Sequence, residues 1–343
     1  MVRFGIAGFG LHAARRLMPG FALAKNCKVV ALSRRDPQKA ADSARHYGIP
    51  HVFGSTEELC RCPEVDAVLV TTPNVCHLKD VLAAVAAGKP VLCEKPMGMN
   101  AEECQEMVGS ARKAGILLGV AQIFRFEEST ARLRARIAAG DIGRLIFARA
   151  EFSYPAIGHA RTWLNNRAVS GGGPVSDVGV HCIDALRFIL QDEPLSVAAV
   201  GRSDEHSGDV EAAAILSFRF RRGTLATVLV STRAQYRTPL EFVGDAGVLR
   251  ADDGLTVDRS VTLELWRDRK VVNTETVSNE FAYARQVDSF AHAVEAVQPF
   301  PVPGEEGWQN QIVLDAAYRS LSSGKSEEVR IVAGSAMIEL SPK

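Results

Sequence analysis

The first third of the chain alternates short, almost wholly apolar segments with longer segments whose apolar residues recur every three to four positions. The short segments are typical of strands that are buried on both faces, and the longer ones are typical of amphipathic helices. This repeated strand–helix order predicts a parallel sheet covered by helices. The predicted strands are VRFGIAG, CKVVALS, VDAVLVTTP, KPVLCEKP and ILLGVA.

From about Leu145 the pattern changes to an alternation of apolar and polar residues. In ILSFRF, the side chains of Leu216, Phe218 and Phe220 fall on one face, which predicts an open, mainly antiparallel sheet. In TLATVLVS, at 224–231, both alternating sets are largely apolar, so a second cover is expected on the outer face. A second subunit is the natural cover, and we therefore predict a homodimer or homotetramer.

Length and composition set the broad class. A chain of 343 residues with this change of pattern predicts two domains, at 1–122 and 123–343. Apolar residues make up 47%, which is typical of a folded chain. The 40 basic and 40 acidic residues leave no net charge to attract nucleic acid or an anionic membrane, so neither is an expected partner.

The N-terminal apolar segment does not read as a signal peptide, because glycines interrupt it and two arginines follow. No apolar run approaches the roughly 18 residues of a membrane-spanning helix. The seven cysteines are scattered and match no zinc-site spacing, so we expect reduced thiols and no metal site. Together these features predict a cytoplasmic protein.

A glycine loop follows the first predicted strand. In GFGLHA, the residues Gly8, Gly10 and Ala13 have the G-x-G-x-x-[GA] spacing of dinucleotide-binding loops, between a strand and a helix. The first glycine permits a tight turn, and the second lets the backbone approach a pyrophosphate held at the helix N-terminus. We expect Gly8, Phe9, Gly10 and Leu11 to contact the cofactor.

The end of the second strand bears on which nicotinamide cofactor is used. An acidic residue there selects NAD by binding the ribose 2′-hydroxyl. Here Ser33 and Arg34 occupy the position, and the first acid is Asp36. A hydroxyl and a guanidinium suit a 2′-phosphate, so we predict that NADP is preferred and NAD is possible. The alternative is that the arginines form a solvated turn and Asp36 caps the next helix.

The segment GGGPVSDVGVH places Asp177 four residues before His181, a spacing that puts two side chains on one face of a helix. The pair could be catalytic, with the glycines letting the chain pass close to a cofactor. Alternatively, the glycines simply turn the chain, Asp177 lies near a helix start, and His181 is a core residue with satisfied hydrogen bonds.

Four segments in order resemble the glucose–fructose oxidoreductase and inositol dehydrogenase family. They are GIAGFG, TTPNVCH, AGKPVLCEKP and GGGPVSDVGVHCID, and the resemblance covers nearly the whole chain. The chain departs from the family pattern at Pro174, at Leu164, and at Ser33 with Arg34. The departures at Pro174 and Leu164 affect the expected substrate contacts. The departure at Ser33 and Arg34 affects the expected cofactor.

The resemblance implies an α/β Rossmann domain followed by an α+β domain whose large open sheet forms oligomer contacts. It also implies NAD(P)-dependent hydride transfer to or from a sugar, a polyol or a related hydroxy or keto compound. Lys95, Asp177 and His181 would then be catalytic. An imidazole, with an ordinary pKa of about 6.5, suits proton transfer, and Lys95 would stabilise negative charge on oxygen. Asp177 would accept a hydrogen bond from a substrate hydroxyl.

Further cofactor contacts follow from the same resemblance. Glu94 could hold the cofactor ribose or simply pair with Lys95, and His77 could be a helix-start residue instead of a contact. Aromatic side chains are more often core residues than ligand contacts. Pro96 could follow a cis bond. The expected additional contacts are Thr72, Pro73, Asn74, His77, Glu94, Lys95, Trp163 and Tyr283.

Two other functional classes remain open. Some relatives of this family are glycoside hydrolases that use tightly bound NAD for transient oxidation. A non-catalytic cofactor-binding regulator is the third class, but it has no need for Lys95, Asp177 and His181 together. The substrate itself depends on the loop at 152–170, which contains FSYPAIGHARTW.

Overall fold

The computed structural model describes residues 1–331. Within them the chain divides into two compact units. The first comprises residues 1–123 and 283–308, and the second comprises residues 124–282 and those from Gln309 onward.

The first unit is built on a six-stranded sheet in which every pair of neighbours is parallel. Its order is β3-β2-β1-β4-β5-β6, which is the order of doubly wound folds that bind dinucleotides. The parallel sheet predicted from the strand–helix alternation is confirmed. The strands are β1 (Val2–Ala7), β2 (Cys27–Ser33), β3 (His51–Phe53), β4 (Ala67–Val70), β5 (Val91–Cys93) and β6 (Leu118–Val120).

The helices of this unit follow its strands along the chain. A π-helical turn at Ala13–Leu17 runs into the first helix. Side-chain oxygens cap three of the helices: Asp36 accepts from the Lys39 amide at 3.0 Å, Ser55 accepts from the Glu58 amide at 3.2 Å, and Asn100 accepts from the Glu103 amide at 2.9 Å. The helices are α1 (Met18–Leu23), α2 (Pro37–Tyr47), α3 (Thr56–Cys60), α4 (His77–Ala86) and α5 (Ala101–Ala114).

A helix from late in the sequence also belongs to the first unit. The later helix α9 (Ala282–Val294) buries Phe290, whose ring lies 6.1 Å from Phe4 of β1 and 5.1 Å from Phe300. The prediction placed residues 283–308 in the second domain, 123–343. The structure corrects this, because these residues pack with the first unit. An amphipathic stripe identifies the buried face of a helix but does not indicate which core that face covers.

The second unit contains a nine-stranded sheet, with the order β14-β13-β12-β11-β7-β10-β9-β8-β15. All neighbours are antiparallel except β7 and β10. The predicted large, open, mainly antiparallel sheet is confirmed. Its strands are β7 (Leu145–Ser153), β8 (Pro194–Arg202), β9 (Ala213–Phe220), β10 (Leu225–Ser231), β11 (Leu240–Gly244), β12 (Val248–Ala251), β13 (Ser260–Arg267), β14 (Lys270–Ser278) and β15 (Glu327–Glu328).

One face of this sheet packs against helices, and the other is open in the single chain. Leu216, Phe218 and Phe220 of β9 are buried, as the alternation predicts, whereas the intervening residues are exposed. The helices are α6 (Glu128–Ala138), α7 (Arg167–Ser170), α8 (Val180–Leu190) and α10 (Gly304–Ser323), the last of which enters this unit at Gln309.

Two kinds of feature are absent from residues 1–331. None of their helices is both long enough and apolar enough to cross a membrane. Within the same range, no group of three or more His, Cys, Asp and Glu side chains is suited to hold a metal ion.

A buried ion cluster fixes α8. The Arg187 side chain has no exposed surface and donates two hydrogen bonds of 2.7 Å to the two carboxylate oxygens of Glu193. Its third contact is a 2.7 Å hydrogen bond to Asn310 Oδ1 on α10. Asn310 in turn donates to Asp184, which also receives the Arg125 guanidinium at 2.6–3.0 Å. The cluster ties α8 to the start of β8 and to α10.

We expect Arg187→Met to lower the free energy of unfolding by about 3–5 kcal/mol, because it leaves Glu193 buried without its counter-charge. Urea denaturation followed by circular dichroism measures the change. The matched control is Arg144→Met, since the Arg144 side chain is 81% exposed and lies 3.7 Å from Asp245. That variant should lose less than about 1 kcal/mol. Equal, small losses in both variants would contradict the assigned role of the cluster.

Candidate active site

The glycine loop begins directly after β1. Gly8 has φ +82°, and a side chain there would collide with the Thr72 backbone, at 2.8 Å from its N and Cα. Only glycine fits this turn. At Gly10, by contrast, the nearest atom to an added Cβ is the Gly8 carbonyl oxygen at 3.7 Å. Ala13 is fully buried. The loop therefore has the tight turn, the open backbone and the close helix packing that a pyrophosphate site requires.

The two residues that follow these glycines differ in burial. Phe9 is buried, with its ring 5.6 Å from that of Tyr47 on α2, whereas Leu11 is nearly half exposed. Phe9 therefore supports the loop through its side chain, so only its backbone remains for a ligand. The π-helical turn that follows belongs to a class of distortion that is frequent at functional sites.

The end of β2 lies against this loop. The amides of Gly8 and Phe9 donate to the Ser33 carbonyl oxygen at 3.1 and 2.9 Å, and Ser33 itself is buried. Arg34 is half-buried, and its guanidinium reaches Ser43 Oγ on α2 at 3.4 Å. Asp36 caps α2, as the alternative interpretation expected, and its hydrogen bond from the Lys39 amide lowers the pKa of its carboxyl. The Asp36 carboxylate is thus occupied by the helix cap.

The segment after β4 is held by its own polar groups. Thr72 Oγ1 donates to Asp80 at 2.7 Å, and Asn74, which follows Pro73, is buried at the start of a short 3-10 turn. His77 is almost fully buried, with Nδ1 3.0 Å from the Pro96 carbonyl oxygen and Nε2 2.9 Å from that of Thr72. This geometry favours the structural interpretation of His77. Its role as a cofactor contact stays a prediction.

The Glu-Lys-Pro segment follows β5, and its Lys95–Pro96 bond is cis. Glu94 is buried, and its carboxylate accepts from His12 Nε2 at 2.8 Å and from the Lys95 amide at 3.1 Å. Burial acts to raise the pKa of Glu94, but the nearby His12 and Lys95 outweigh burial and hold the pKa below its usual value. Glu94 is therefore a carboxylate oriented by the glycine-loop helix. Lys95 is half-buried.

His12 was missed in the sequence, although it occupies the last variable position of the glycine motif. Its ring also lies 6.1 Å from that of Tyr283, which packs where Gly20 leaves room. The first unit thus brings the glycine loop, Glu94 and Tyr283 together. The position of His12 on the first helical turn is the signal that could have identified it.

In the second unit, the segment with Asp177 forms a π-helical turn at Val175–Gly179 that runs into α8. Asp177 and His181 are each 8% exposed. The Tyr154 hydroxyl donates to Asp177 Oδ2 at 2.5 Å. The His181 ring lies against two aromatic rings, edge-on to Phe124 at 4.7 Å and stacked with Phe152 at 6.1 Å. The two side chains therefore have very different surroundings, one ionic and one aromatic.

The three glycines before this turn have structural neighbours in their own unit. Gly171 ends α7 with φ +77°. A Cβ at Gly172 would overlap the Tyr318 hydroxyl, and one at Gly173 would overlap the Glu211 carbonyl oxygen. Within the second unit, these glycines permit a close approach to α10 and to the residues before β9. Their close approach to a cofactor stays a prediction.

A cavity of about 350 Å³ lies within the second unit. Asp177 is among its lining residues, so one member of the predicted catalytic set faces this cavity. Trp163 is half-buried in a 3-10 turn at Thr162–Asn165, within the same loop region, and its cofactor contact stays a prediction. The cavity lining includes Tyr154, His159, Arg161, Asn165, Asp177 and Arg233.

Comparisons with known proteins agree with this architecture. Residues 2–122 match the model of an oxidoreductase family with an NAD-binding Rossmann fold, and residues 130–250 match the GFO/IDH/MocA C-terminal domain. The chain is 31% identical to 1,5-anhydro-D-fructose reductase from Ensifer adhaerens, over 96% of this chain and 99% of that protein.

Two solved structures show the same fold. A variant of a 3-ketoreductase from Actinomadura kijaniata, solved with NADP and TDP-benzene, has a TM-score of 0.86 and 25% identity, covering 93% of this chain and 97% of its own. Levoglucosan dehydrogenase, solved with NADH and levoglucosan, has a TM-score of 0.83 and 21% identity, covering 96% and 99%. The matches span both units, and the chain belongs to the GFO/IDH/MocA family of oxidoreductases, with an NAD-binding Rossmann domain.

Proposed function

We propose that this oxidoreductase transfers a hydride between NADP(H) and a hydroxyl or keto carbon of a neutral sugar, polyol or related compound, with NAD(H) as the weaker cofactor. The observation that carries the proposal is Asp177, a buried carboxylate at the wall of the 350 Å³ cavity. A volume of this size suits a monosaccharide. Free thiols on all seven cysteines support a cytoplasmic location as part of the proposal.

The charges that line the cavity support an uncharged substrate. Arg233 makes hydrogen bonds of 2.7 and 2.9 Å to the two oxygens of Asp204, so its charge is matched by a carboxylate. Arg161 lies 3.7 Å from Asp177. The two arginines of the lining are therefore balanced by its two acids, Asp177 and Glu211, without a surplus of one sign. A polyhydroxylated molecule, whose hydroxyls both donate and accept, is the matching ligand.

Each proposed catalytic residue has a distinct task. The bound nicotinamide would supply hydride transfer. His181 would take the hydroxyl proton during oxidation and return it during reduction. Lys95 would stabilise negative charge on the reacting oxygen, and Asp177 would accept a hydrogen bond from a substrate hydroxyl. Glu94, with Gly8 and Gly10, would hold the cofactor; Thr72, Pro73, Asn74, Trp163 and Tyr283 remain proposed contacts.

We expect Lys95→Ala and His181→Ala each to lower kcat by about a hundredfold or more, because each removes a group that acts on the transferred proton or the oxygen charge. The measurement is the absorbance change of NADPH with a panel of sugars and inositols, beside fluorescence titration of cofactor binding, which should survive. Lys113→Ala and His46→Ala are matched controls, since both residues are exposed in the first unit. Near-normal turnover in either variant would show that the replaced residue, Lys95 or His181, has no part in the mechanism.

The same assay separates the other functional classes. A glycoside hydrolase with tightly bound NAD would release sugar without net turnover of free cofactor. A regulator would bind cofactor and show neither reaction.

The preference for NADP is proposed from the end of β2. Arg34 is held beside α2, and Asp36 is committed to capping that helix. Arg34→Ala should weaken NADPH binding by about 1.5–3 kcal/mol, the scale of a hydrogen bond to a charged group, and leave NADH binding little changed. Arg45→Ala on the exposed end of α2 is the control. If the unmodified protein binds NADH as tightly as NADPH, this assignment fails.

A homodimer or homotetramer is proposed from the outer face of the second sheet. Phe147 of β7 pairs with Leu225 of β10, and the two are 51% and 48% exposed. Ile215 of β9 pairs with Val200 of β8, and these are 51% and 76% exposed. Two pairs of exposed apolar side chains on adjacent strands of one sheet face are typical of a protein interface.

Light scattering in dilute buffer should therefore give a mass of at least twice 37.0 kDa. The double variant Phe147→Glu with Leu225→Glu should move the mass toward one chain, because charges oppose burial of the patch. Val297→Glu, at a 67% exposed position in the first unit, should not. A clean monomer of the unmodified protein at micromolar concentration contradicts the assembly.

A further inference from the structure

Tyr154 is the first residue after β7 and has no place in the reaction as described above. It is 9% exposed, and its backbone amide donates to the Ser231 carbonyl oxygen at the end of β10, at 2.9 Å. The ring stacks with His159 at 5.7 Å between centroids. Both ends of the residue are therefore held, and the hydroxyl has a fixed direction.

That hydroxyl points at Asp177. It donates to Oδ2 at 2.5 Å, a distance that is typical of a hydroxyl donating to a charged oxygen. Arg161 approaches the same pair from the loop after β7. Its Nη1 lies 3.7 Å from Asp177 Oδ1, and its Nη2 donates to the Tyr154 oxygen at 3.5 Å. A phenol and a guanidinium thus face one carboxylate at the cavity wall.

The position of the proton follows from the surroundings. Burial, with the added effect of the Asp177 charge, raises the pKa of Tyr154. The charge of Asp177 also raises the pKa of Arg161. The phenol therefore keeps its proton and donates, the guanidinium stays cationic, and both favour the ionised form of the carboxylate.

We propose that Tyr154 and Arg161 are positioning residues, which hold Asp177 ionised and in one orientation so that it accepts a substrate hydroxyl in the cavity. The inference rests on the proposed function for the role of Asp177 toward substrate. It adds a specificity rule, because a fixed acceptor selects for a sugar or polyol that carries a hydroxyl at that point. An analogue without that hydroxyl could not make this hydrogen bond to the buried carboxylate and would bind less tightly.

The test compares Tyr154→Phe with Tyr236→Phe. Tyr236 is the control in the same unit, since its hydroxyl lies 3.3 Å from Thr256 Oγ1 instead of a carboxylate. We expect Tyr154→Phe to raise KM about tenfold with a smaller change in kcat, and to move the acid limb of the kcat/KM profile to higher pH. NADPH affinity should not change. Tyr236→Phe should keep the KM and the pH profile.

A double-mutant cycle tests whether Tyr154 acts through Asp177. In an Asp177→Asn background, Tyr154→Phe should have little further effect on KM. A full, independent effect in that background overturns the proposal, and so does an unchanged KM and pH profile in Tyr154→Phe alone.

A readout without turnover separates this inference from the proposed function. Carbon NMR of carboxyl-labelled aspartate, with the Asp177 signal assigned by Asp177→Asn, follows protonation of that carboxyl without substrate. Tyr154→Phe should move its titration upward by about one pH unit, because the variant lacks a donor to the ionised form. Arg161→Gln should move it in the same direction. An unmoved titration overturns the positioning role, even if the protein oxidises a sugar, whereas a moved titration supports that role even if no tested sugar reacts.

Discussion

A guanidinium without exposed surface holds α8, the helix that carries the His181 side chain. Arg187 is paired twice with Glu193 and once with Asn310, so α8 cannot rotate or slide without leaving buried charges unmatched. The cost of such a loss is several kcal/mol, which is a large part of the stability of an ordinary domain. The π-helical turn that carries Asp177 leads directly into this helix. Its position is therefore set from the C-terminal side by a fixed element.

Buried carboxylates with hydrogen-bond donors beside them occur in both units. Glu94 is oriented by His12 and by the Lys95 amide, and Asp177 is oriented by Tyr154 with Arg161 nearby. A buried carboxylate without such partners would take up a proton, because burial disfavours the charged form. At Glu94 the partners hold the pKa of the carboxyl below its usual value, and at both sites they restrict the rotation of the side chain.

Periodicity and spacing predicted the fold because they report what each element buries. The apolar strands led to the parallel sheet, and the alternation in β9 led to the open antiparallel one. The same signals could not assign α9 to the first unit, since a stripe ending in Phe290 fits any apolar core. They also could not find Tyr154 or His12. Each acts through one hydrogen bond to a residue at least 23 positions away, and only the folded chain brings the two together.

The glycines before Asp177 have structural neighbours that the motif alone does not reveal. The Tyr318 hydroxyl excludes a Cβ at Gly172, and the Glu211 carbonyl oxygen excludes one at Gly173. Tyr318 lies 146 positions after Gly172, and Glu211 lies 38 positions after Gly173, so the sequence alone does not reveal either contact. Glu211 also accepts hydrogen bonds from the Val175 amide and from Tyr318. The turn before α8 is therefore held from its N-terminal side as well.

Charge pairing around the cavity decides how a ligand can be recognised there. A phosphorylated or carboxylated sugar would gain most from Arg233, but that guanidinium already makes two hydrogen bonds to Asp204, so the anion would have to displace a carboxylate of equal charge. Arg161 stands beside Asp177, whose charge would repel the same anion. A neutral polyol meets neither obstacle. Its hydroxyls could donate to Asp177 and accept from Arg161 without breaking an ion pair, which supports the proposal of an uncharged substrate recognised by the direction of its hydrogen bonds.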